Sequence, residues 1–88
     1  MARRAVIRGR VQGVGYRFWA MRGAQELGLN GWVRNLPDGS VETFAEGEEA
    51  DLEKYLTRLR YGPLNSRVDG VDVEPAEPQG LTSFEITR

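Results

Sequence analysis

Ala5-Val6-Ile7-Arg8-Gly9-Arg10-Val11-Gln12-Gly13-Val14-Gly15-Tyr16-Arg17-Phe18 is the stretch on which the fold turns. From Ala5 to Val11 the residues alternate. Ala5, Ile7, Gly9 and Val11 share one side, and Val6, Arg8 and Arg10 the other, which is the period of a half-buried strand. Gln12 to Gly15 interrupts that period with two glycines. From Tyr16 to Leu27 the spacing becomes helical, with Tyr16, Ala20, Ala24 and Leu27 on one side and Arg22, Gln25 and Glu26 turned away from it. Gly28 is placed for a left-handed helix stop. A strand, a glycine loop and a helix therefore follow one another within the first third of the chain.

Outward from this unit, Leu29 to Leu36 reads as a second strand, with Gly31, Val33 and Asn35 opposite Trp32 and Arg34. Pro37-Asp38-Gly39 is a hairpin turn, because Asp-Gly tolerates the positive φ angles of tight turns. Ser40 to Glu46 alternates as a third strand, Val41, Thr43 and Ala45 against Glu42, Phe44 and Glu46. Glu48 to Tyr61 is the clearest helix. Leu52, Tyr55, Leu56 and Leu59 recur at helical spacing, with acids in the first turn and Arg58 and Arg60 in the last, as the helix dipole favours. Gly62-Pro63 ends it. Arg67 to Glu74 is a fourth strand, expected to bulge at Asp69-Gly70 because Val68 is out of step with Val71 and Val73. The loop Pro75 to Gly80 then leads to a short strand at Phe84 to Thr87.

This order predicts one α+β domain over residues 1–88, a two-layer ferredoxin-like sandwich. Its elements run β-α-β-β-α-β plus a short fifth strand, with two helices on one face of a mixed, mainly antiparallel sheet. The first strand-helix-strand unit should be a right-handed crossover between parallel strands, with the third strand inserted between them.

Composition removes whole classes of chemistry. The chain has 88 residues, no Cys and no His. Thiol nucleophiles, thiolate metal sites, catalytic triads with His and His-ligated zinc are excluded. Lack of Cys suits a reducing cytosol, and no apolar run is long enough to span a membrane or to form a signal peptide, so a cytoplasmic location is expected. The net charge of −1 hides an asymmetry: residues 1–34 carry seven Arg and one acid, and residues 35–88 five basic and twelve acidic residues. Two readings are open, an anionic ligand for the basic part or mutual neutralisation of the two parts across the fold.

The topology brings chemistry to one sheet edge. Parallel first and second strands end on the same side, so the loop Gln12 to Gly15 and Asn35 lie about 10 Å apart, two strand spacings. Arg17, in the first helical turn, reaches into that gap. A glycine loop feeding a helix start aims free N–H groups at one spot where the dipole also favours an anion. A guanidinium there adds a fork matched to phosphate oxygens. The alternative is a plain strand-to-helix turn with a solvated Arg. Gly13-Val14-Gly15 lacks the third glycine of a dinucleotide fingerprint and the Gly-Lys-Ser/Thr of an NTPase loop.

Gly9-Arg10-Val11-Gln12-Gly13-Val14-Gly15-Tyr16-Arg17 and Gly31-Trp32-Val33-Arg34-Asn35-Leu36-Pro37-Asp38-Gly39-Ser40-Val41-Glu42 resemble the two signature segments of acylphosphatases. The similarity runs nearly end to end and includes the terminal Phe84-Glu85-Ile86. It implies hydrolysis of the carboxyl–phosphate bond of small acyl phosphates to a carboxylate and inorganic phosphate, the latter also an inhibitor. It further implies that Arg17 binds the phosphate, assisted by the segment Gln12, Gly13, Val14, Gly15, Tyr16, Arg17 and Phe18, and that Asn35 positions the attacking water. No metal or other cofactor, no nucleic-acid or membrane partner, and a monomer are expected.

That chemistry suits these residues. The leaving group of an acyl phosphate is a weakly basic carboxylate, which departs without a proton donor. What remains is stabilising charge on the phosphoryl oxygens and orienting water. A single-stranded RNA binder shares the strand-helix order, but its third strand would be basic and aromatic, whereas Ser40 to Glu46 carries two acids and no basic residue. A non-catalytic module of the same fold is the other alternative. Phe18, Trp19 and Trp32 read as packing or strand-surface residues. Glu46, Glu48, Glu49 and Asp51 read as solvated acids at a helix start. Arg8, Arg10 and Arg34 either add a positive field near the site or face solvent.

Overall fold

The computed structural model describes residues 1–88. The elements are β1 (Ala2–Arg10), α1 (Tyr16–Glu26), β2 (Asn30–Asn35), β3 (Val41–Glu46), α2 (Glu49–Tyr61), β4 (Arg67–Ala76) and β5 (Phe84–Ile86). All seven expected elements are present, and the boundaries differ mainly at β1, which begins at Ala2, and at β4, which runs on to Ala76. The sheet order is β4-β1-β3-β2-β5, so β3 does insert between β1 and β2. It is antiparallel to both, which leaves β1 and β2 parallel, and β5 pairs parallel with β2. Three strands therefore end at one edge of the sheet. Between β1 and β4 the register slips where Arg8 opposes Gly70 and Gly9 opposes Val68, so Asp69 is the extra residue at the expected bulge.

The core lies between the sheet and its two helices. Ala5 and Ile7 of β1, with Val11 just beyond its end, pack with Val33, Val41 and Phe84. Ala20 and Ala24 of α1 and Leu52, Tyr55, Leu56 and Leu59 of α2 close it from the other side. α1 stops as its sequence requires. Gly28 takes φ 72°, and the N–H groups of Gly28 and Leu29 return to the carbonyls of Gln25 and Ala24.

The face away from the helices departs from simple alternation. All six residues of β3 are buried, including Glu42 and Phe44 on that face. Trp32 stacks on Phe44 with ring centroids 6.2 Å apart. Glu42 is paired with both Arg4 and Arg34, the latter at 2.6 Å. Arg8 is paired with Asp72 at 2.9 Å, and Arg4 also reaches Glu74 at 2.6 Å. Long Arg stems cover apolar surface while their heads stay wet, so this layer substitutes for a second set of helices. Arg8 and Arg34 are thus spent in cross-strand pairs, and the two oppositely charged parts of the chain neutralise one another here.

Candidate active site

The expected loop forms between β1 and α1, and its backbone explains its glycines. Gly13 and Gly15 adopt φ of 73° and 79°. A Cβ at either position would meet nothing within 4 Å, so glycine is needed for the left-handed backbone and not for space. Gly15 caps α1 without any side-chain hydrogen bond to the helix start. The first helical bond runs from Trp19 N–H to Gly15 O at 3.0 Å, which leaves the N–H groups of Tyr16, Arg17 and Phe18 without an intrahelical acceptor. No turn or loop bond engages the N–H groups of Gly13, Val14 or Gly15 either. Six consecutive donors are thereby uncommitted at the positive end of a helix dipole.

These groups frame a pocket of about 180 Å³. Gly13, Gly15, Arg17 and Phe18 form one side, and Asn35, the last residue of β2, another. Val11 and Tyr16, each 1% exposed, are buried at its base. Arg17 forms no ion pair, unlike Arg4, Arg8 and Arg34. Asn35 Oδ1 is a buried side-chain oxygen with no hydrogen-bond partner in the protein. Such an orphaned acceptor is costly and calls for a visiting donor. The pocket is lined by no carboxylate. Its one phenol, Tyr16, donates to the Leu59 carbonyl at 2.7 Å, and burial raises its pKa far above the ordinary value. Tyr16 therefore ties α1 to α2 and has no proton to lend at neutral pH.

Two members of the expected binding segment do not line this pocket. Val14 faces a separate surface groove with Trp19 and Pro63. Gln12 uses its carboxamide internally: Nε2 donates to Leu36 O at 2.8 Å and to Ser40 O at 2.9 Å. Those carbonyls flank the turn after Asn35, so Gln12 ties the loop to the hairpin that carries Asn35. The hairpin is braced in turn by Asp38, which accepts from Ser40 N–H at 2.9 Å and Ser40 Oγ at 2.5 Å. Both bonds hold the Asp38 carboxyl below its usual pKa. Through this clamp the loop bridges the width of two strand spacings predicted between itself and Asn35.

Ile86 completes the pocket and was not among the expected site residues. It lies level with Val33 on β5, which is parallel to β2 and so delivers its end to the same edge. A three-residue strand after a Pro/Gly loop carries too little periodicity to tell from sequence which strand it pairs with. Glu46 also differs from expectation. It is not a solvated acid but 8% exposed, and its carboxylate accepts from Gln79 N–H at 2.5 Å, Gly80 N–H at 3.3 Å and Leu81 N–H. Burial pushes its pKa up, but the three donors and the nearby amino terminus outweigh this and hold it below the usual carboxylate value. Trp19 and Trp32 are packing residues, whereas Phe18 stands out from the surface, 53% exposed.

The sequence profile of the acylphosphatase family matches residues 3–86. The chain belongs to the acylphosphatase family. An acylphosphatase of Thermus thermophilus is 50% identical over 82 residues, covering 93% of each chain. A crystal structure of acylphosphatase from Bacillus subtilis superposes with a TM-score of 0.96 at 35% identity, covering 99% of this chain and 98% of that one. Full-length HypF, solved in a phosphate- and nucleotide-bound form, contains a similar unit: TM-score 0.88, 31% identity, 99% of this chain and 12% of that one. Acylphosphatases are hydrolases acting on acyl phosphates, and membership assigns that activity and its phosphate product to this chain.

Proposed function

We propose that the pocket divides the hydrolysis of small acyl phosphates between two groups of residues. Arg17 and the N–H groups from Gly13 to Phe18 hold the phosphoryl oxygens, and Asn35 orients the attacking water. The observation that carries this reading is the meeting, in one pocket, of an unpaired guanidinium, uncommitted N–H donors and the orphaned Asn35 Oδ1. A water hydrogen donated to Oδ1 turns the water's lone pair towards a phosphorus held on the loop. Arg17 and the amides neutralise charge on the equatorial oxygens, where phosphoryl transfer most needs it. A neutral carboxamide holds water beside phosphate without the repulsion a carboxylate would bring.

The leaving carboxylate departs unprotonated, which suits a pocket whose only phenol is hydrogen-bonded elsewhere. The pocket's donor set contains no carboxylate, imidazole or thiolate, so the reaction runs without a metal. The protein acts as a cytoplasmic monomer with neither nucleic acid nor membrane as partner. Pairing of the Arg residues on the open sheet face supports the first exclusion. No helix is long and apolar enough to cross a membrane.

The test is steady-state hydrolysis of acetyl phosphate beside glycerol phosphate, with inorganic phosphate as inhibitor. Acetyl phosphate should turn over, phosphate should compete with it, and glycerol phosphate, whose alkoxide needs a proton, should be a very poor substrate. Comparable kcat/KM on the two substrates, or purely noncompetitive inhibition, contradicts the assignment.

A further inference from the structure

We propose that Phe18 and Ile86 form an apolar shelf that receives the acyl group and selects uncharged, apolar acyl phosphates over those bearing a second anion. The inference rests on the phosphate-binding reading above and adds the other end of the substrate. The pocket has two unlike parts. Gly13, Gly15 and Arg17 supply amides and one cation, whereas Phe18 and Ile86 supply exposed hydrocarbon. Phe18 is 53% and Ile86 40% exposed, and they are two of only six large apolar side chains left open on the whole molecule. A single exposed apolar residue needs no explanation. Two that stand on elements from opposite parts of the chain and converge on one polar pocket match the make-up of a ligand site.

Substrate geometry assigns the shelf its occupant. With the phosphoryl group on the loop, the bridging oxygen and acyl carbon must leave the loop, since the amides and Arg17 occupy the phosphoryl side. The remaining walls are the Phe18 ring, the Ile86 side chain and Asn35. An acyl group with its own carboxylate or phosphate finds no second cation lining the pocket and must desolvate its charge against hydrocarbon. The Arg22 guanidinium, 5.9 Å from the Phe18 ring centroid, is outside the pocket lining and lies 3.8 Å from the Glu26 carboxylate. An alkyl or aryl group covers Phe18 and Ile86 and removes their exposed area from water.

The experiment compares kcat/KM for acetyl, butyryl and benzoyl phosphate on the wild-type chain and on Ile86→Ala and Phe18→Ala. Wild-type kcat/KM should rise about two- to fourfold for each added methylene from acetyl to butyryl, the factor expected for partial to full burial. In each variant the ratio of benzoyl to acetyl kcat/KM should fall about fivefold, carried mainly by KM. Equal losses on both substrates would mark a merely structural role and overturn the shelf, as would a flat wild-type series. If the wild-type chain hydrolyses all three but the ratio stays constant in both variants, the shelf alone fails. Absence of hydrolysis of any of the three removes the underlying phosphate-site reading and the shelf with it.

Discussion

Asn35 and Arg17 share a pocket but carry different loads, and substitution separates them. Asn35→Ala leaves the loop and the guanidinium in place, so inorganic phosphate should bind almost as in the parent while kcat falls by a factor on the order of 10²–10³ or more. Asn35→Asp should do no better, because it sets an anion against the phosphoryl oxygens. Arg17→Ala should weaken phosphate inhibition and turnover together, and Arg17→Lys should restore little, since an ammonium lacks the two-pronged contact. The paired measurement is kcat with the phosphate inhibition constant on each folded variant. A near wild-type kcat in Asn35→Ala removes Asn35 from the mechanism, and full activity in Arg17→Ala overturns the phosphate site. Gln12 is a third case, a side chain whose contribution is to hold the loop against the Leu36–Ser40 turn.

Among the elements, β5 depends on a tether outside itself. The strand has three residues and one neighbour, and the segment before it is pinned where Glu46 of β3 gathers the N–H groups of residues 79 to 81. A hydrogen bond to a charged acceptor contributes roughly 1.5–3 kcal/mol, but Gln79 and Gly80 are exposed, so water recovers much of the total when the carboxylate is removed. Glu46→Ala should therefore lower unfolding stability by about 2–3 kcal/mol, read as a lower urea midpoint, and Glu46→Gln by less. An unchanged midpoint in both would show the tether to be energetically idle. The same bonds set a pH dependence. The folded carboxyl is held below its ordinary value, so the tether contributes fully above the unfolded value near ~4.3. It is lost as pH falls through the lower folded value. The difference in stability between wild type and Glu46→Gln should accordingly shrink as the pH is lowered from 7 into the acid range.

Taken whole, the molecule spends its charge asymmetry across the open sheet face and leaves one cation at the pocket. The exposed pairs, such as Arg8 with Asp72, contribute little to stability, since solvent screens them. Glu42 differs because its side chain is 2% exposed and two guanidiniums share it. No group of three or more Asp or Glu residues comes close enough together to hold a metal ion. Prolonged treatment with EDTA, followed by desalting, should leave acetyl phosphate hydrolysis unchanged, and added Mg²⁺ or Zn²⁺ should not raise it. Loss on chelation with recovery on adding a divalent ion would refute the mechanism.

The sequence by itself determined the element order, the insertion of β3 between parallel β1 and β2, the bulge at Asp69, and the meeting of the glycine loop, Arg17 and Asn35. Each depends on signals carried by neighbours in the chain: a period of two or 3.6, a glycine where φ must be positive, and the handedness of a crossover. Tertiary structure alone decided that Gln12 clamps the hairpin, that Glu46 anchors residues 79 to 81, and that Glu42 sits buried under two arginines. It also brought Ile86 to the pocket. Those outcomes rest on contacts between residues far apart in the chain. A carboxylate near a helix start, or an amide next to a glycine, looks the same in sequence whether it meets water, a ligand or a distant backbone N–H. Only the packed sheet chooses among them, because burial without a partner is too costly to leave the choice open.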